Sequence, residues 1–347
     1  MKKITILILS LLILIGAYIV YSGNNKTTIS NKEANFAIAD TSLVTKIFLA
    51  DKAGNTVTLK RKGNDWTVND TFPANQDVIR YFLRNLSELK VKSPVPKAMH
   101  KGIFTSMASQ AVKIEIYAIR YRIDLGNNFQ YFPYESKNQV YYVGGPTPDN
   151  SGSYMLMEGA SKPYIVHILG LHGYVSTLYT ALTDKWRSHT IFNTKFQNIA
   201  SVSVEFPDKP QDSYTVSQDD NHEFSIRSLS DNKTLPAYDT LKMYNFVTSF
   251  ADLRFEAFRN ELPEKDSIIN NIKPLHIITL MDQNGQTFQV KTFPSPNLGK
   301  KESVEGDPYT YDVDRMFALV NNEKDFVLIQ YYVFDKIIKP LDYYKIN

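Results

Sequence analysis

The segment from Val143 to Met155 contains the residue types most suited to binding chemistry. Its order is Val-Gly-Gly-Pro-Thr-Pro-Asp-Asn-Ser-Gly-Ser-Tyr-Met, which places backbone amides, small hydroxyls and a carboxylate close together. A phosphate loop needs glycines between a strand and a helix N-terminus, with Gly-Lys-Ser or Gly-Lys-Thr. That tripeptide is absent, and Tyr-Met-Leu-Met predicts a strand instead. We therefore predict a structured loop, which is the first candidate for a ligand site through Gly144, Gly145, Asp149, Ser151, Ser153 and Tyr154.

The remaining polar residues are spaced less favourably for catalysis or metal binding. His167 and His172 are five positions apart, and neither His-x-x-x-His nor His-Glu-x-x-His occurs. Because a catalytic zinc usually needs three protein ligands, we predict no metal site and no cofactor. Glu115 and Asp124 are a carboxylate pair that a glycosidase could use, but nothing in the sequence brings them together. Asp312 is predicted to cap a helix instead.

Trp186 and Arg187 lie at the junction between the two halves of the chain. A lone tryptophan is a large apolar side chain whose burial is the default expectation. We hypothesise that Trp186 packs in the seam between two structural units and fixes their relative orientation, with Arg187 beside it.

Two halves with the same order of elements must position these residues. In the first half, alternating apolar residues predict strands at 44–50, 56–60 and 66–68, followed by a helix capped by Asn75. In the second half, strands at 199–206, 213–216 and 223–226 precede a helix introduced by Asp239. The apolar face predicted for this second helix comprises Leu241, Tyr244, Phe246, Val247, Phe250 and Leu253.

Further strands follow each helix, and Asn284-Gly285 predicts the turn of a later hairpin. Each half is also expected to end in a helical stretch, the second one beginning at Val313. These patterns predict an α+β fold with two repeated units of mainly antiparallel sheet, helices packed on one face and one preceding transmembrane helix. The predicted segments are a signal anchor at 1–23, a flexible tether at 24–40, a first unit at 41–190 and a second unit at 191–347.

The N-terminus predicts the location of the protein. Lys2 and Lys3 precede 18 uncharged residues from Ile4 to Tyr21, which as a helix span about 27 Å, close to a hydrocarbon core of roughly 30 Å. A retained anchor is favoured because the run is long and its exits lack the small-x-small cleavage pattern, although cleavage stays open. The positive-inside rule then predicts a single-pass protein of the cytoplasmic (inner) membrane, with residues from Asn24 onward in the periplasm or another extracytoplasmic space.

The composition narrows the function classes further. The chain has no cysteine, so neither disulfides nor thiol catalysis can operate. Lys and Arg number 39 against 36 Asp and Glu, which argues against a nucleic-acid partner because such proteins present a basic surface. The 22 tyrosines and 20 phenylalanines favour half-buried sheet residues, with a sugar-binding or protein-binding surface as the alternative.

Four segments carry a resemblance to a known family: Asn-Asp-Trp-Thr-Val-Asn at 64–69 with Pro-Ala-Asn at 73–75, the loop at 143–155, Lys-Pro-Tyr-Ile-Val-His at 162–167 and Asp-Lys-Trp-Arg-Ser at 184–188. Together with the N-terminal run they resemble the bacterial domain-of-unknown-function family 4340, in its Bacteroidetes-like form. The resemblance implies an N-terminal anchor or lipoprotein signal and repeated strand-rich units. It also implies a relation to auxiliary subunits of ABC-type transport systems linked to gliding motility. The lack of cysteine favours the spanning-helix form over the lipoprotein form.

We therefore expect a membrane-anchored, non-catalytic, extracytoplasmic protein that binds an envelope protein partner as an auxiliary subunit of a transport or surface-assembly complex. An envelope glycan hydrolase and a small-ligand-binding module using residues 144–153 remain as alternatives. An enzyme would show a pocket with converging carboxylates or histidines, whereas a partner-binding protein would expose an apolar or aromatic patch.

Overall fold

The computed structural model describes residues 31–124, 129–171, 173–219, 221–297, 299, 301–303 and 305–346. The predicted membrane helix from Ile4 to Tyr21 lies outside these residues. In the described part of the chain, no helix is both long enough and apolar enough to cross a membrane. The chain is divided into two units, Met1–Ser188 and His189–Asn347.

Strands dominate both units. The first unit contains β1 Val44–Ala50, β2 Thr56–Lys62, β3 Asp65–Val68, β4 Phe72–Pro73, β5 Leu89–Pro94, β6 Val112–Asp124, β7 Gln130–Pro146, β8 Ser153–Met157 and β9 Tyr164–Ile168. The second unit contains β10 Thr190–Phe192, β11 Ile199–Glu205, β12 Tyr214–Gln218, β13 Phe224–Ser228, β14 Leu253–Arg254, β15 Ala257–Phe258, β16 His276–Asp282, β17 Thr287–Pro296, β18 Tyr311–Val320 and β19 Asp325–Gln330.

The described residues form fewer helices than strands. The α-helices are α1 Asn31–Ala34, α2 Gln76–Glu88, α3 His100–Gln110, α4 Thr240–Thr248, α5 Lys265–Asn271 and α6 Tyr331–Phe334. Short 3₁₀ helices cover Thr41–Leu43, Lys97–Met99, Val175–Leu178, Thr183–Lys185, Phe196–Asn198, Pro210–Asp212, Ser249–Ala251 and Leu341–Tyr344. The predicted α+β class with antiparallel sheets is confirmed.

The two main sheets have the same strand order. The first runs β4-β3-β2-β1-β6-β7-β8-β9-β5, and the second runs β13-β12-β11-β16-β17-β18-β19-β15. Apart from β4, each strand of the first sheet has a counterpart numbered ten higher in the second, and all neighbours are antiparallel. After β4 in the first unit and β13 in the second, the chain forms a helix, crosses to the far edge of the sheet and returns through a second helix.

The first long helix of each unit, α2 or α4, covers the main core; it is called the first helix of its unit below. Ile79, Phe82, Leu83 and Leu86 of α2 are buried at helical spacing against the inner face of the first sheet. Met243, Phe246 and Val247 of α4 have the same position in the second unit. The predicted apolar face of α4 was partly wrong, because Leu241 is 76% and Tyr244 47% exposed.

The second helix of each unit packs against a separate apolar cluster. Met107 of α3 packs with Tyr154, whereas the neighbouring Met155 belongs to the main core. Ile268 of α5 packs with Phe317 and Leu319, whereas Met316 and Ala318 belong to the main core. Since successive strand residues point to opposite faces, the helices cover both faces of each sheet. The prediction that they pack on one face was wrong.

The predicted helical endings were partly wrong: short helical turns do occur at Val175–Leu178, Tyr331–Phe334 and Leu341–Tyr344, but no helix begins at Val313. Residues 311–320 form β18, so Asp312 does not cap a helix and instead accepts bonds from the amides of Asp314 and Arg315 within the strand. The end of the first unit contains only the short 3₁₀ helices Val175–Leu178 and Thr183–Lys185. A run of apolar residues fits a strand buried on both faces as well as a helix, which explains the error.

Candidate functional site

In both units, the helix that covers the main core begins at a polar capping residue, Asn75 for α2 and Asp239 for α4. The last segment of the same unit is hydrogen-bonded to that capping residue. Asn75 Oδ1 accepts bonds from the amides of Asp77 and Val78, at 3.2 and 3.3 Å, and the Asn75 amide donates to the Trp186 carbonyl at 2.8 Å. Asp239 Oδ1 accepts from the Lys242 amide at 3.1 Å, and its own amide donates to the Tyr344 carbonyl at 2.8 Å. These bonds satisfy helix amides that would otherwise lack a partner.

Aromatic rings hold the same two segments against the cores. Phe82, seven residues after the cap of α2, meets the Trp186 ring edge-on at 4.9 Å between centroids. Phe246, seven residues after the cap of α4, meets the Tyr344 ring at 5.9 Å. A groove therefore runs alongside the first helix of each unit, between that helix and the C-terminal segment.

We call the groove in the first unit the first groove. It has a volume of about 280 Å³ and is lined by Val78, Tyr81, Phe82, Thr177, Leu178, Thr180, Lys185 and Trp186. Most of these side chains are apolar or aromatic, and Tyr81 is 42% exposed at its rim. Pockets of this kind receive the large apolar side chains that anchor protein interfaces.

We call the groove in the second unit the second groove. It has a volume of about 600 Å³ and is lined by Lys242, Asn245, Phe246, Thr248, Ser249, Asp335, Lys336, Lys339 and Tyr343. Lys242 Nζ donates to the Tyr343 carbonyl at 3.0 Å, and Lys339 Nζ lies 2.6 Å from an Asp335 oxygen. The lining holds three lysines and Asp335, and Asp239 beside it lies 3.6 Å from Lys242 Nζ. Three lysines against two aspartates leave an excess of positive charge that suits an acidic group.

The two grooves use equivalent helix positions. Counted from the caps, Val78 corresponds to Lys242, Tyr81 to Asn245 and Phe82 to Phe246. The buried aromatic position is kept, while the two positions facing the groove opening differ in chemistry. No motif in the sequence predicted this site, although aligning the halves on their two helix caps would have revealed it.

The loop predicted as a ligand site has its polar groups bonded to one another. Thr147 Oγ1 donates to Asp149 Oδ1 at 2.6 Å, and the Ser151 amide donates to both, at 3.1 and 3.2 Å. The hydrogen bond from Thr147 holds the pKa of Asp149 well below its usual range. The buried Ser153 Oγ accepts from the Ser176 amide at 2.9 Å. These bonds give the loop a structural role, and its binding of a ligand stays a prediction.

Gly144, Gly145 and Tyr154 of this loop lie close to α3. A Cβ atom on Gly144 would lie 2.9 Å from Met107 Cγ of α3, while one on Gly145 would face only Gln110 at 3.5 Å. Tyr154 is buried in the same cluster beneath α3. Gly144 therefore allows α3 to approach the sheet closely.

Lys92 and Ser151 form a lysine–serine contact at this loop. Lys92 Nζ donates to Ser151 Oγ at 2.7 Å and lies 4.0 Å from Asp149. A lysine activates a serine only where burial favours its neutral amine. The Lys92 side chain is 45% exposed and has a carboxylate nearby, so the contact is a surface interaction.

Trp186 and Arg187 belong to the first unit. The Trp186 side chain is 2% exposed, and its Nε1 donates to the Thr180 carbonyl at 2.9 Å. The Arg187 guanidinium lies 3.9 Å from the centre of the Phe72 ring and 3.4 Å from Asp184 Oδ1. The predicted burial of Trp186 is confirmed, while its role in orienting the two units stays a prediction.

Glu115 is held in its ionised form. Lys113 and Lys137 lie 2.7 and 3.1 Å from its carboxylate, and Tyr117 donates to it at 2.7 Å. Burial favours a raised pKa, but the hydrogen bonds from these three groups outweigh it and lower the pKa of Glu115 to about 2. The general acid of a glycosidase needs the opposite shift. The side chain of Asp124, its predicted partner, lies outside the described residues.

His167 lies on β9, and His172 lies outside the described residues. Within the part of the chain that the structure describes, no group of three His, Cys, Asp or Glu side chains could hold a metal ion.

The fold and the two grooves together define a class of protein. It has two α+β units with the same strand order, and each unit has a groove at the equivalent position, but the two grooves differ in chemistry. The chain belongs to the family described as Domain of unknown function (DUF4340), whose model matches residues 69–270. That match includes α2 and α4 and therefore the helix of each groove. No curated protein and no solved structure matches the chain.

Proposed function

We propose that the protein is a membrane-anchored, non-catalytic binding subunit of an envelope transport or surface-assembly complex. The run from Ile4 to Tyr21 holds it in the cytoplasmic membrane, and both units lie on the extracytoplasmic side. A partner protein inserts an apolar side chain into the first groove and presents an acidic group to the second. The observation that carries this proposal is the pair of equivalent grooves on one repeated fold.

The divergence of the grooves supports binding as the function. Val78 and Lys242 occupy the same helix position, yet one contributes an apolar surface and the other a charge. Val78 also packs at the edge of the main core, whereas Lys242 does not; the fully buried contacts of the two helices come from Phe82 and Phe246. Positions that vary while the fold stays the same are suited to recognising two different features of a partner.

The lowered pKa of Glu115 disfavours the glycan hydrolase alternative, which needs a carboxylic acid that stays protonated near neutral pH. The bonds within residues 144–153 likewise disfavour the small-ligand alternative, because Thr147, Asp149 and Ser151 already satisfy one another.

The test is affinity isolation of the full chain from detergent-solubilised membranes, with quantification of the proteins that accompany it. Val78→Asp places a charge in the first groove while keeping α2 intact, because an acidic residue suits the first turn of a helix. We expect it to reduce recovery of the partner by roughly tenfold, since a charge buried at an interface without a partner is costly. Lys336→Gln should reduce recovery less, because it removes one of three lysines.

The matched control is Lys62→Gln, on an exposed residue of β2 outside both grooves. A Val78→Asp chain that keeps its full set of partners, while folded by circular dichroism, would contradict the role of the first groove. Failure to recover any reproducible partner with the unmodified chain would contradict the proposal as a whole.

A further inference from the structure

Beyond the sheet of the first unit, β6 and β7 continue as a two-stranded ribbon. β1 pairs with β6 no further than Ala118, and β8 pairs with β7 no earlier than Tyr141. β6 and β7 nevertheless pair with each other as far as Asp124 and Gln130. We call residues 119–124 and 129–136 the aromatic ribbon. At about 3.3 Å per residue, it extends roughly 20 Å past the sheet.

The fold does not require this extension. The counterpart hairpin in the second unit, β16–β17, closes directly after Asp282, whose Oδ1 accepts from the amides of Asn284 and Gln286. Because the same sheet forms with a short turn in that place, the ribbon is an addition to the first unit.

The ribbon exposes apolar and aromatic side chains together with arginines. Large exposed fractions belong to Ile123 at 45%, Phe129 at 57%, Tyr131 at 54%, Phe132 at 66% and Tyr134 at 43%. Arg120 and Arg122 are exposed on β6, the strand of Ile123. The ribbon also carries Glu135, whose carboxylate is bonded by Thr45 and Lys46 of β1. Aromatic rings with an apolar body favour the interface between lipid and water, and arginines pair with anionic lipid headgroups. This composition matches a bilayer surface.

The segment that follows α1, from Asn35 to Ala37, lies beside the base of the aromatic ribbon. Gln139 Nε2 donates to the carbonyls of Asn35 and Ala37, at 3.0 and 3.2 Å, three residues after the ribbon ends. Asn35 and Arg120 also line one cavity of about 670 Å³ at this position. Nine residues, 22–30, separate Tyr21 from α1 and reach at most about 32 Å, and the four residues of α1 add about 6 Å. The aromatic ribbon therefore lies within reach of any bilayer that holds the N-terminal run.

We propose that the aromatic ribbon inserts its exposed aromatic side chains into the interfacial region of the same bilayer that holds the N-terminal run. This rests on the membrane anchoring proposed above and adds a second contact with the membrane. Two contacts on one bilayer restrict the first unit far more than a single flexible tether, because the second contact forms within the same molecule at high effective concentration.

The test uses the natural absence of cysteine, which makes every introduced cysteine the only labelling site. Phe132→Cys, Tyr332→Cys and Leu12→Cys variants of the full chain are labelled with an environment-sensitive fluorophore and reconstituted into nanodiscs with about 30% anionic lipid. Quenching by nitroxide lipids then reports the depth of each label. Tyr332 is the matched control, because it is an aromatic residue of the second unit with 91% exposure.

We expect the label at residue 132 to be quenched roughly threefold more than the label at 332, and the label at 12 to be quenched most. Replacing Arg122 by Gln should weaken quenching at 132 only in discs that contain anionic lipid. Equal, weak quenching at 132 and 332 with strong quenching at 12 would overturn the ribbon contact and leave the anchor intact. Weak quenching at 12 would instead contradict the anchoring itself.

A protein occupant would give a different pattern. The label at 132 would then be shielded from aqueous quencher in native membrane vesicles but not in nanodiscs that contain only this chain. That result would overturn the bilayer contact and identify the ribbon as a protein-binding element.

Discussion

The first and second units build the same sheet, cap the same helix and bond their C-terminal segments to that cap in the same way, but they differ in what they expose. The first groove is apolar around Val78 and Trp186, whereas the second is rich in lysine around Lys242. The first unit also carries the aromatic ribbon, where the second has a short turn at Asp282. We infer that the shared elements provide stability and that the differing elements provide recognition.

The greatest loss of stability should come from the shared aromatic position. Phe82→Ala and Phe246→Ala each remove a buried ring from a core, so each should cost about 3–5 kcal/mol of unfolding free energy. Hydrogen exchange followed by mass spectrometry should show lost protection in the first unit for Phe82→Ala and in the second unit for Phe246→Ala. Loss of protection across both units from either substitution would show that the units do not unfold separately.

The next largest effect should be a difference between the two units in how their unfolding free energy depends on pH. Burial lowers the pKa of His276 to about 4, while a histidine in an unfolded chain titrates near 6.5. The unfolded second unit takes up a proton first as the pH falls, so this unit loses up to about 3 kcal/mol between about pH 6.5 and 4. His276→Gln should remove this dependence when urea unfolding is measured at several pH values.

The first unit should respond in a lower pH range. The pKa of Glu115 is lowered to about 2 in the folded chain, against 4.5 for an unperturbed glutamate. Its stabilising contribution is complete above about pH 4.5 and is lost as the pH falls towards 2. Glu115→Gln should remove the pH dependence of the unfolding free energy of the first unit in this range. A loss of stability that is already complete at pH 5 would contradict the stabilisation of the Glu115 carboxylate by its neighbours.

The helix caps should have smaller and matched effects. Asn75→Ala and Asp239→Ala each remove one capping side chain, which typically costs about 1 kcal/mol. Because the backbone bonds to Trp186 and Tyr344 remain, both C-terminal segments should stay in place. Urea unfolding should give similar losses for the two variants. A difference of more than about 2 kcal/mol would show that the caps are not equivalent.

Exchanging the groove residues should change stability least. Val78→Lys and Lys242→Val alter the chemistry of the two grooves while leaving the aromatic rings in place. We expect each to change the unfolding free energy by less than about 1 kcal/mol, because a lysine keeps its charge in water and surface ion pairs contribute little. Thermal unfolding checks this. A loss well above this for Val78→Lys would show that the contact of Val78 with the main core outweighs its place in the groove.

Local patterns in the sequence predicted the elements but not their arrangement. The strands β1 to β3, the cap Asn75 and the start of a helix at Asp239 were predicted correctly, because alternation and capping depend on neighbouring residues. The hairpin at Asn284-Gly285 was also confirmed. The placement of β5 and β15 at the far edge of each sheet depends on distant pairing, which no local pattern encodes.

The errors have physical causes as well. Residues 311–320 contain an apolar run that is buried on both faces of the second sheet, so its pattern does not distinguish a strand from a helix. Leu241 and Tyr244 were assigned to the core because they are apolar at helical spacing, yet they face solvent. The loop at 144–153 has a composition suited to a ligand site, whereas its hydroxyls and carboxylate bond one another once it folds.

Site-specific photocrosslinking at the two equivalent groove positions tests whether the grooves recognise different features of a partner. A photoreactive amino acid is placed at Tyr81 or at Asn245 of the full chain, and the products formed in intact membranes are compared. We predict a discrete product at position 81 that disappears with Val78→Asp, and a different contact at position 245 that survives this substitution. Identical products from both positions, or a product at 81 that Val78→Asp leaves unchanged, would contradict the assignment of recognition to the grooves.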